Sequence, residues 1–288
     1  MARVKGFLFT VGFMIFCAAL LTLIVIIFST TYQEDKRFSE IVALDRLQTL
    51  DNSIQHSIKE AFTSYAGINV TFRKEDNPDF TDVMFNETIP NNVDAFNFNL
   101  DYIKLLVESE YNYTFLNVSH IKETLPLLVE PYNILYTHNF ANNQIQIIPE
   151  DASPTSMLKG YRFVVTNLIS TECQVQNIYV NGIFIVEIEA SESDPFGNPN
   201  CIKNFVIDPD KNNKFSIGIP PDLFTIEISN GGGVTITNDQ GGSPKVASIL
   251  YLDPNIDYNK TKVVLPGSVI RISDPYLKVY RKDSIRIL

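Results

Sequence analysis

An uncharged N-terminal segment constrains this chain more than any other feature. No charged side chain occurs between Gly6 and Gln33, and residues 7–28 are almost entirely apolar. Because an α-helix rises 1.5 Å per residue, about 20 such residues cross the hydrocarbon core of a bilayer. A cleaved secretory signal has a shorter apolar region of about 7 to 15 residues, followed by small residues at the cleavage site. Residues 1–31 are therefore predicted to be a short tail and a retained transmembrane anchor.

The charges that flank the anchor predict its direction. Arg3 and Lys5 lie just before the apolar segment, whereas the two acidic and two basic residues at 34–37 cancel each other just after it. Since cytoplasmic flanks carry the excess of Lys and Arg, we expect a cytoplasmic N-terminus and an extracellular C-terminal domain. No other apolar run approaches 18 residues, which predicts a single crossing. The net charge of −10 disfavours nucleic acid as a partner.

Residues 32–66 are predicted to form a helical stalk that continues the anchor. Residues 33–62 contain no Gly or Pro, and Gly67 follows as a stop signal. The apolar side chains recur at helical spacing, namely Ile41, Leu44, Leu47, Leu50, Ile54, Ile58 and Ala61. This pattern is typical of an amphipathic helix. The sequence is compatible with two packing partners for this apolar stripe. The first is the protein's own outer domain. The second is a copy of the same chain or another surface protein, contacted through Leu47, Leu50, Ile54 and Ile58.

The segment after the stalk, residues 67–140, is predicted to be a small α+β unit. Short strand-like runs alternate there with one helical stretch at 100–108, and Asn99 precedes that stretch as a candidate N-cap.

Residues 141–288 are predicted to form an antiparallel β-sandwich of immunoglobulin-like architecture. About ten short alternating runs occur with turn signals between them and no intervening helix. Asn181-Gly182 is the strongest hairpin signal, because Asn-Gly readily adopts the two positive φ angles of a type I′ turn. Residues 230–233, Asn-Gly-Gly-Gly, give a second hairpin. The fold class is therefore mainly β with a long N-terminal α-helix.

Two cysteines follow the anchor, Cys173 and Cys201, while Cys17 lies inside it. In an oxidising exterior two lone cysteines pair, so we predict a disulfide. In the chain-entropy model a loop of this size stabilises the fold by about 3 to 4 kcal/mol.

Five Asn-x-Ser/Thr sequons occur after the anchor and are candidate glycosylation sites on an extracellular chain. They are Asn69, Asn86, Asn112, Asn117 and Asn259.

The N-terminal pattern resembles archaeal type IV pilin-like membrane proteins. A short basic leader ends in Lys5-Gly6, and an apolar helix then leads into an amphipathic helix and a β-rich domain. In that family a peptidase removes the leader before the apolar segment, and the exposed helices bundle into a filament core. The resemblance implies cleavage between Gly6 and Phe7 and a pilin-like role. Val11 stands where bacterial pilins carry a glutamate.

Signatures of catalysis are missing from the sequence. The three histidines do not show metal-ligand spacing, and the common nucleophile and nucleotide motifs do not occur. Asp208, Asp210 and Asn212 alternate like the first half of a calcium loop, but the later glutamate and central glycine are replaced. A polar turn accounts for this weak calcium candidate. We therefore expect no enzyme activity and no cofactor.

Two functions remain in view. The first is a membrane-anchored cell-surface protein with a pilin-like structural or adhesion role. The alternative is a tethered ligand-binding or receptor-type ectodomain that does not self-assemble. A tethered hydrolase is the least supported, and fold alone does not separate these classes.

Overall fold

The structure is a computed structural model that describes most of the chain. The described residues are 2–73, 81–89, 93–110, 114–118, 122, 124–139, 142–150, 157–192, 201–253, 255, 260–274 and 279–287.

The N-terminal helix α1 (Ala2–Ala61) joins anchor and stalk without interruption. At 1.5 Å per residue its 60 residues extend about 90 Å. A π-helical turn, Phe62–Ala66, follows, and the chain leaves it at Gly67 with a φ of 65°. Glycine adopts this left-handed conformation without the penalty that a Cβ imposes. The predicted continuity of anchor and stalk and the stop at Gly67 are confirmed.

A second helix and sixteen strands make up the rest of the described chain. The helix α2 is Val93–Glu110. The strands are β1 (Asn69–Arg73), β2 (Thr81–Thr88), β3 (Thr114–Asn117), β4 (Thr124–Glu130), β5 (Ile134–Asn139), β6 (Gln144–Pro149), β7 (Leu158–Leu168), β8 (Cys173–Gln176), β9 (Val180–Glu192), β10 (Cys201–Ile207), β11 (Asn213–Ile219), β12 (Asp222–Ile228), β13 (Val234–Asn238), β14 (Lys245–Leu252), β15 (Lys262–Asp274) and β16 (Val279–Arg286).

The strands form two sheets that pack as a sandwich. The smaller sheet, sheet A, has the order β1-β2-β14-β7-β9-β10. Its pairs are antiparallel except β7 and β9, which run parallel. Sheet B has the order β16-β15-β4-β5-β6-β13-β12-β11-β8, and β3 pairs with β15 outside this path. The predicted fold class, mainly antiparallel β with a long N-terminal helix, is confirmed.

One continuous apolar core joins both sheets to the end of α1. Its fully buried members include Ile58 of α1, Phe163 of sheet A, and Ile226 and Ile285 of sheet B. Along the strands buried and less buried residues alternate, as in β4 and β5, because successive side chains point to opposite faces. We call the two sheets together with α2 the head. The C-terminal part of α1 packs into the core of the head and therefore belongs to it as well as to the anchor.

The predicted boundary at residue 140 does not separate two units. β2, from the first segment, pairs with β14, and β6 pairs with β5 on one side and β13 on the other. Both sheets therefore contain strands from before and after residue 140. The predicted cap Asn99 is wrong too, because it lies inside α2, where its side-chain amide donates to the carbonyl of Ala95.

The two predicted hairpins have opposite outcomes. The hairpin at 230–233 is confirmed, because β12 and β13 pair around it and Gly231 and Gly232 have φ of 89° and 76°. Asn181-Gly182 is not a turn but lies inside β9. The chain before it, β8, pairs with β11 in sheet B, whereas β9 belongs to sheet A.

Candidate functional site

The apolar part of α1 stands apart from the rest of the protein. From residue 13 onward, the helix contains an 18-residue segment with a mean hydropathy of 2.7. None of that segment is buried inside the structure. Phe16, Leu21 and Phe28 are 60%, 64% and 73% exposed. The transfer of such apolar side chains from water into the hydrocarbon of a bilayer is favourable. The helix is therefore a candidate membrane anchor, as predicted from the sequence.

The junction between anchor and head is closely packed and contains a buried ion pair. Asp51 Oδ2 of α1 lies 2.9 Å from Arg281 Nη2 of β16, and the aspartate side chain is 1% exposed. One turn further on, the Gln55 side-chain oxygen accepts a hydrogen bond from the Arg286 backbone N–H at 3.1 Å. Ile54 is 2% exposed beside them. These contacts fix the direction of α1 relative to the sandwich.

The contact between α1 and the head uses the side chains that the sequence analysis considered as a binding surface for another chain. Leu47, Ile54 and Ile58 are 7%, 2% and 0% exposed, and Leu50 packs half-buried on the same core. The protein's own head therefore covers Leu47, Ile54 and Ile58 and part of Leu50, while binding of a second chain through them stays a prediction. The apolar residues nearer the anchor differ, since Ile41 and Leu44 are 63% and 52% exposed.

A buried polar network joins the two sheets. Glu87 of β2 accepts a hydrogen bond from the Tyr136 hydroxyl through Oε1, and its Oε2 contacts Nδ1 of His138. Phe85 stacks on the Tyr136 ring with 4.1 Å between centroids. Burial, followed by the charge of Glu87, raises the pKa of Tyr136 well above its ordinary value. Both Glu87 and His138 have fully buried side chains, so the network acts as a clamp between sheets and offers no surface to a substrate.

The sequence analysis did not single out this network. Glu87 follows Val83 and Phe85 at period two in β2, which places its carboxylate on the core face. A charged residue at a core position is rarely buried without a partner. That conflict was the available signal, but the sequence does not say which residue on the other sheet would face it.

A second group of charges lies on the outer face of sheet A. Arg162 Nη2 lies 3.2 Å from Glu189 Oε2, and the Tyr251 hydroxyl donates to Glu187 Oε2 at 2.8 Å. Burial, then the hydrogen bond to Glu187 and its charge, raise the pKa of Tyr251. The arginine and both glutamates are about one-third exposed, so water screens the pairs. These contacts hold β7, β9 and β14 together across the strands.

One end of the same outer face forms an open groove with a volume of about 420 Å³. Amide, hydroxyl and ammonium groups of Asn69, Asn86, Thr166 and Lys245 line it, together with the small side chain of Ala247. Val164 also lines the groove, which therefore combines polar groups with apolar surface.

The weak calcium candidate forms a turn in the structure. Asp208 Oδ1 accepts the Asp210 backbone N–H at 3.0 Å, and Asn212 Oδ1 accepts the Asn230 backbone N–H at 3.1 Å. Two of the five side-chain oxygens of Asp208, Asp210 and Asn212, including the single oxygen of Asn212, therefore accept hydrogen bonds from the backbone. Within the described ranges, no group of three or more His, Cys, Asp or Glu side chains is placed to hold a metal ion.

The predicted disulfide between Cys173 and Cys201 is present. Cys173 belongs to β8 in sheet B and Cys201 to β10 in sheet A, so the bond links the edges of the two sheets. Cys17 is a free cysteine in the apolar part of α1.

The candidate modification sites are spread over the outer part. Asn69 is exposed, while Asn86 and Asn117 are half-buried. Asn69 and Asn86 pair directly across β1 and β2 and share the groove. Asn112 and Asn259 lie outside the described residues. Gly6 and Phe7 lie in α1, and cleavage between them stays a prediction.

Comparison with known proteins gives no relative. No protein-family model, no curated protein and no solved structure matches this chain.

Proposed function

We propose that this chain is a membrane-anchored cell-surface protein with a pilin-like structural or adhesion role. The observation that carries the proposal is the continuity of α1, which runs from an exposed apolar segment into the core of the β-sandwich. A flexible tether would leave the head free to reorient, whereas this helix couples its orientation to the anchor through the Asp51–Arg281 pair and Ile58. Rigid coupling suits a protein that presents its head at a set distance from the bilayer.

Two further features support an external head. Arg3 and Lys5 precede the apolar segment and favour a cytoplasmic N-terminus. The disulfide between Cys173 and Cys201 is a feature of oxidising compartments and is rare in a reducing cytosol.

Placement is tested on whole cells or sealed vesicles. We expect the full chain to stay in the membrane fraction after carbonate washing, and added protease to digest the head of intact cells. Lys203→Cys in a Cys17→Ser background places one free thiol on the exposed face of β10, and this thiol should react with an impermeant maleimide from outside. A soluble chain, or labelling only after the cells are opened, would refute the anchor or its direction.

The pilin-like role is tested on the native N-terminus. Mass spectrometry of protein from its own cells should give Phe7 as the first residue, and negative-stain microscopy should show filaments that disappear when the gene is deleted. A chain that retains residues 1–6 and forms no filament leaves a tethered protein without a pilin-like role.

A tethered ligand-binding ectodomain is the second candidate, and the groove beside Asn86 and Lys245 favours it. Thermal-shift screening with neutral sugars and small carboxylic acids would identify a ligand. Thr166→Trp should abolish the shift by filling the groove, while Thr237→Trp on sheet B should not, since Thr237 lies outside it.

A further inference from the structure

Helix α2 is apolar on two opposite faces. One face packs on the core, with Phe96 and Leu100 fully buried. On the other face Phe98, Tyr102 and Leu105 are 72%, 56% and 68% exposed. Their spacing of four and three residues places them on one stripe of the helix. A helix needs a single apolar face to pack on its own domain, and a contiguous exposed patch indicates an interaction surface.

Two contacts give the direction of α2. Near its start the rings of Phe96 and Phe62 lie 5.2 Å apart, at the end of α1. Near its end the Glu108 carboxylate accepts the Leu116 backbone N–H of β3 at 3.3 Å. β3 pairs with β15, and β15 pairs with β16, close to Arg281. The end of α2 therefore lies at the same height along the sheet as the Asp51–Arg281 pair. α2 therefore runs antiparallel to the last turns of α1, and its exposed stripe points sideways from the anchor axis.

We propose that this stripe of α2 is the contact surface with a second copy of the same chain. The inference depends on the proposed function, because a shared membrane anchor holds all copies at one height and in one orientation. Under that constraint a two-fold axis normal to the bilayer brings each stripe against the same stripe of the partner. The occupant of the surface is then an identical helix at the same level.

The charges beside the stripe are compatible with this pairing. At 100° per residue, Asp101 and Glu108 lie on one flank of the stripe and Leu106 on the other. In a parallel pair related by a two-fold axis, each flank faces the opposite flank of the partner. Lys122 Nζ lies 2.6 Å from the Asp101 carboxylate, so this flank carries charges of both signs. It meets the Leu106 flank of the other copy, and identical charges do not approach each other.

The size of the stripe indicates that the pair depends on the membrane. The exposed parts of Phe98, Tyr102, Leu105 and Leu106 amount to roughly 400 Å² per copy, or about 800 Å² in the pair. Stable interfaces between free proteins bury about 1,200 to 2,000 Å². A contact of this size is weak in dilute solution and becomes populated when anchors confine the copies to two dimensions.

Cysteine crosslinking of the full chain in lipid vesicles tests the proposal. Leu105→Cys in a Cys17→Ser background should give a dimer with a short bis-maleimide, and less of it when lipid dilutes the protein about tenfold. Lys203→Cys on the edge strand β10 is the matched control and should give at least fivefold less dimer. Adding Phe98→Glu to Leu105→Cys should lower the dimer yield to the control level. Because Phe98 is exposed, this change leaves the fold intact, which circular dichroism would verify.

The outcomes separate this inference from the proposed function. A chain that does not enter vesicles refutes the anchor. A chain that enters vesicles but crosslinks equally at 105 and 203, or mainly at 203, refutes the α2 contact and leaves the anchor intact. Dimer formation that Phe98→Glu does not reduce also refutes the stripe.

Discussion

The carboxylate of Asp51 on α1 lies 2.9 Å from the guanidinium of Arg281 on β16, near the C-terminal end of the chain. The aspartate is 1% exposed and the arginine 34%. Removing one partner of a buried pair is costly, because the other charge stays away from water without its counter-charge. The pair therefore ties the anchor helix to the last strand and makes the docking of α1 sensitive to a single substitution.

Arg281→Met should lower the free energy of unfolding by about 2 to 3 kcal/mol, which is below the range for fully buried pairs because water reaches Arg281. Urea unfolding of the full chain in detergent would measure the loss. The neighbouring exposed residue supplies the control, Lys282→Met, which should change stability by less than about 0.5 kcal/mol. Equal effects of the two substitutions would contradict a role for the pair. Adding Asp51→Asn to Arg281→Met should recover part of the loss.

Replacing both Cys173 and Cys201 by alanine should destabilise the head by about 3 to 4 kcal/mol, because the bond closes a loop between residues 28 apart. The effect should appear as a lower urea midpoint, and reduction of the wild-type protein should reproduce it. Cys17→Ala, in the anchor, is the control and should leave the midpoint unchanged. An unchanged midpoint in verified reduced protein would rule out a stabilising role for the cross-sheet link.

The features that were predicted correctly from the sequence are those determined by residues close together in the chain. The apolar segment, the helical spacing to Ala61 and the stop at Gly67 describe α1, because helix bonds join residues four apart. The glycines at 230–233 likewise determine a local turn. By contrast, the pairing of β2 with β14 and the parallel pairing of β7 with β9 join distant segments. No local pattern specifies such partners, so the boundary at residue 140 was misplaced.

Gly182 shows how a correct observation led to a wrong interpretation. A glycine after asparagine predicts a turn with positive φ, but in β9 the glycine is required by close approach of another strand. A Cβ on Gly182 would lie 1.6 Å from the carbonyl oxygen of Ile207 in β10. The polar network around Glu87 was missed for another reason, because its partners Tyr136 and His138 belong to the other sheet.

Gly182→Ala should therefore displace β10 and destabilise the head by about 2 kcal/mol or more, within the usual range for overpacking. Thermal unfolding would measure the loss, and hydrogen exchange should become faster in β10 than in β12. The adjacent substitution Ile183→Ala is the control, since Ile183 is 75% exposed and should change stability little. A turn at residues 181–182 would also make alanine unfavourable, through strain at a positive φ, but it would leave hydrogen exchange in β10 no faster than in β12.

Glu87→Ala should cost about 3 to 5 kcal/mol, because it removes the acceptor for the Tyr136 hydroxyl and the contact of His138 in a fully buried site. Tyr136→Phe keeps the ring stack on Phe85 and loses one hydrogen bond, so about 1 to 2 kcal/mol is expected. Chemical denaturation of both variants would give the comparison. A smaller loss for Glu87→Ala than for Tyr136→Phe would show that the carboxylate is not the centre of the clamp.

Stability should fall at alkaline pH because the buried tyrosines keep their protons longer when folded. Burial raises the pKa of Tyr132, Tyr136 and Tyr161 above the ordinary value, and the charge of Glu87 also raises the pKa of Tyr136. The unfolded chain loses these protons near pH 10, while the folded chain still binds them. Their contribution is therefore complete below about pH 10 and decreases above it, by up to about 1.4 kcal/mol per pH unit for each tyrosine.

Tyr161→Phe tests the sign and the size of this effect. Its hydroxyl donates to the Gly232 carbonyl at 2.7 Å, so the variant should lose about 1 kcal/mol at neutral pH. Above pH 10 its stability should fall less steeply than that of the wild type, by the contribution of one proton. Urea midpoints at several pH values give both slopes, and near-ultraviolet absorbance reports tyrosinate formation directly. Tyr179→Phe, at a residue that is 52% exposed, is the control and should keep the wild-type slope. Parallel slopes for Tyr161→Phe and the wild type would mean that Tyr161 is not protected from ionisation by burial.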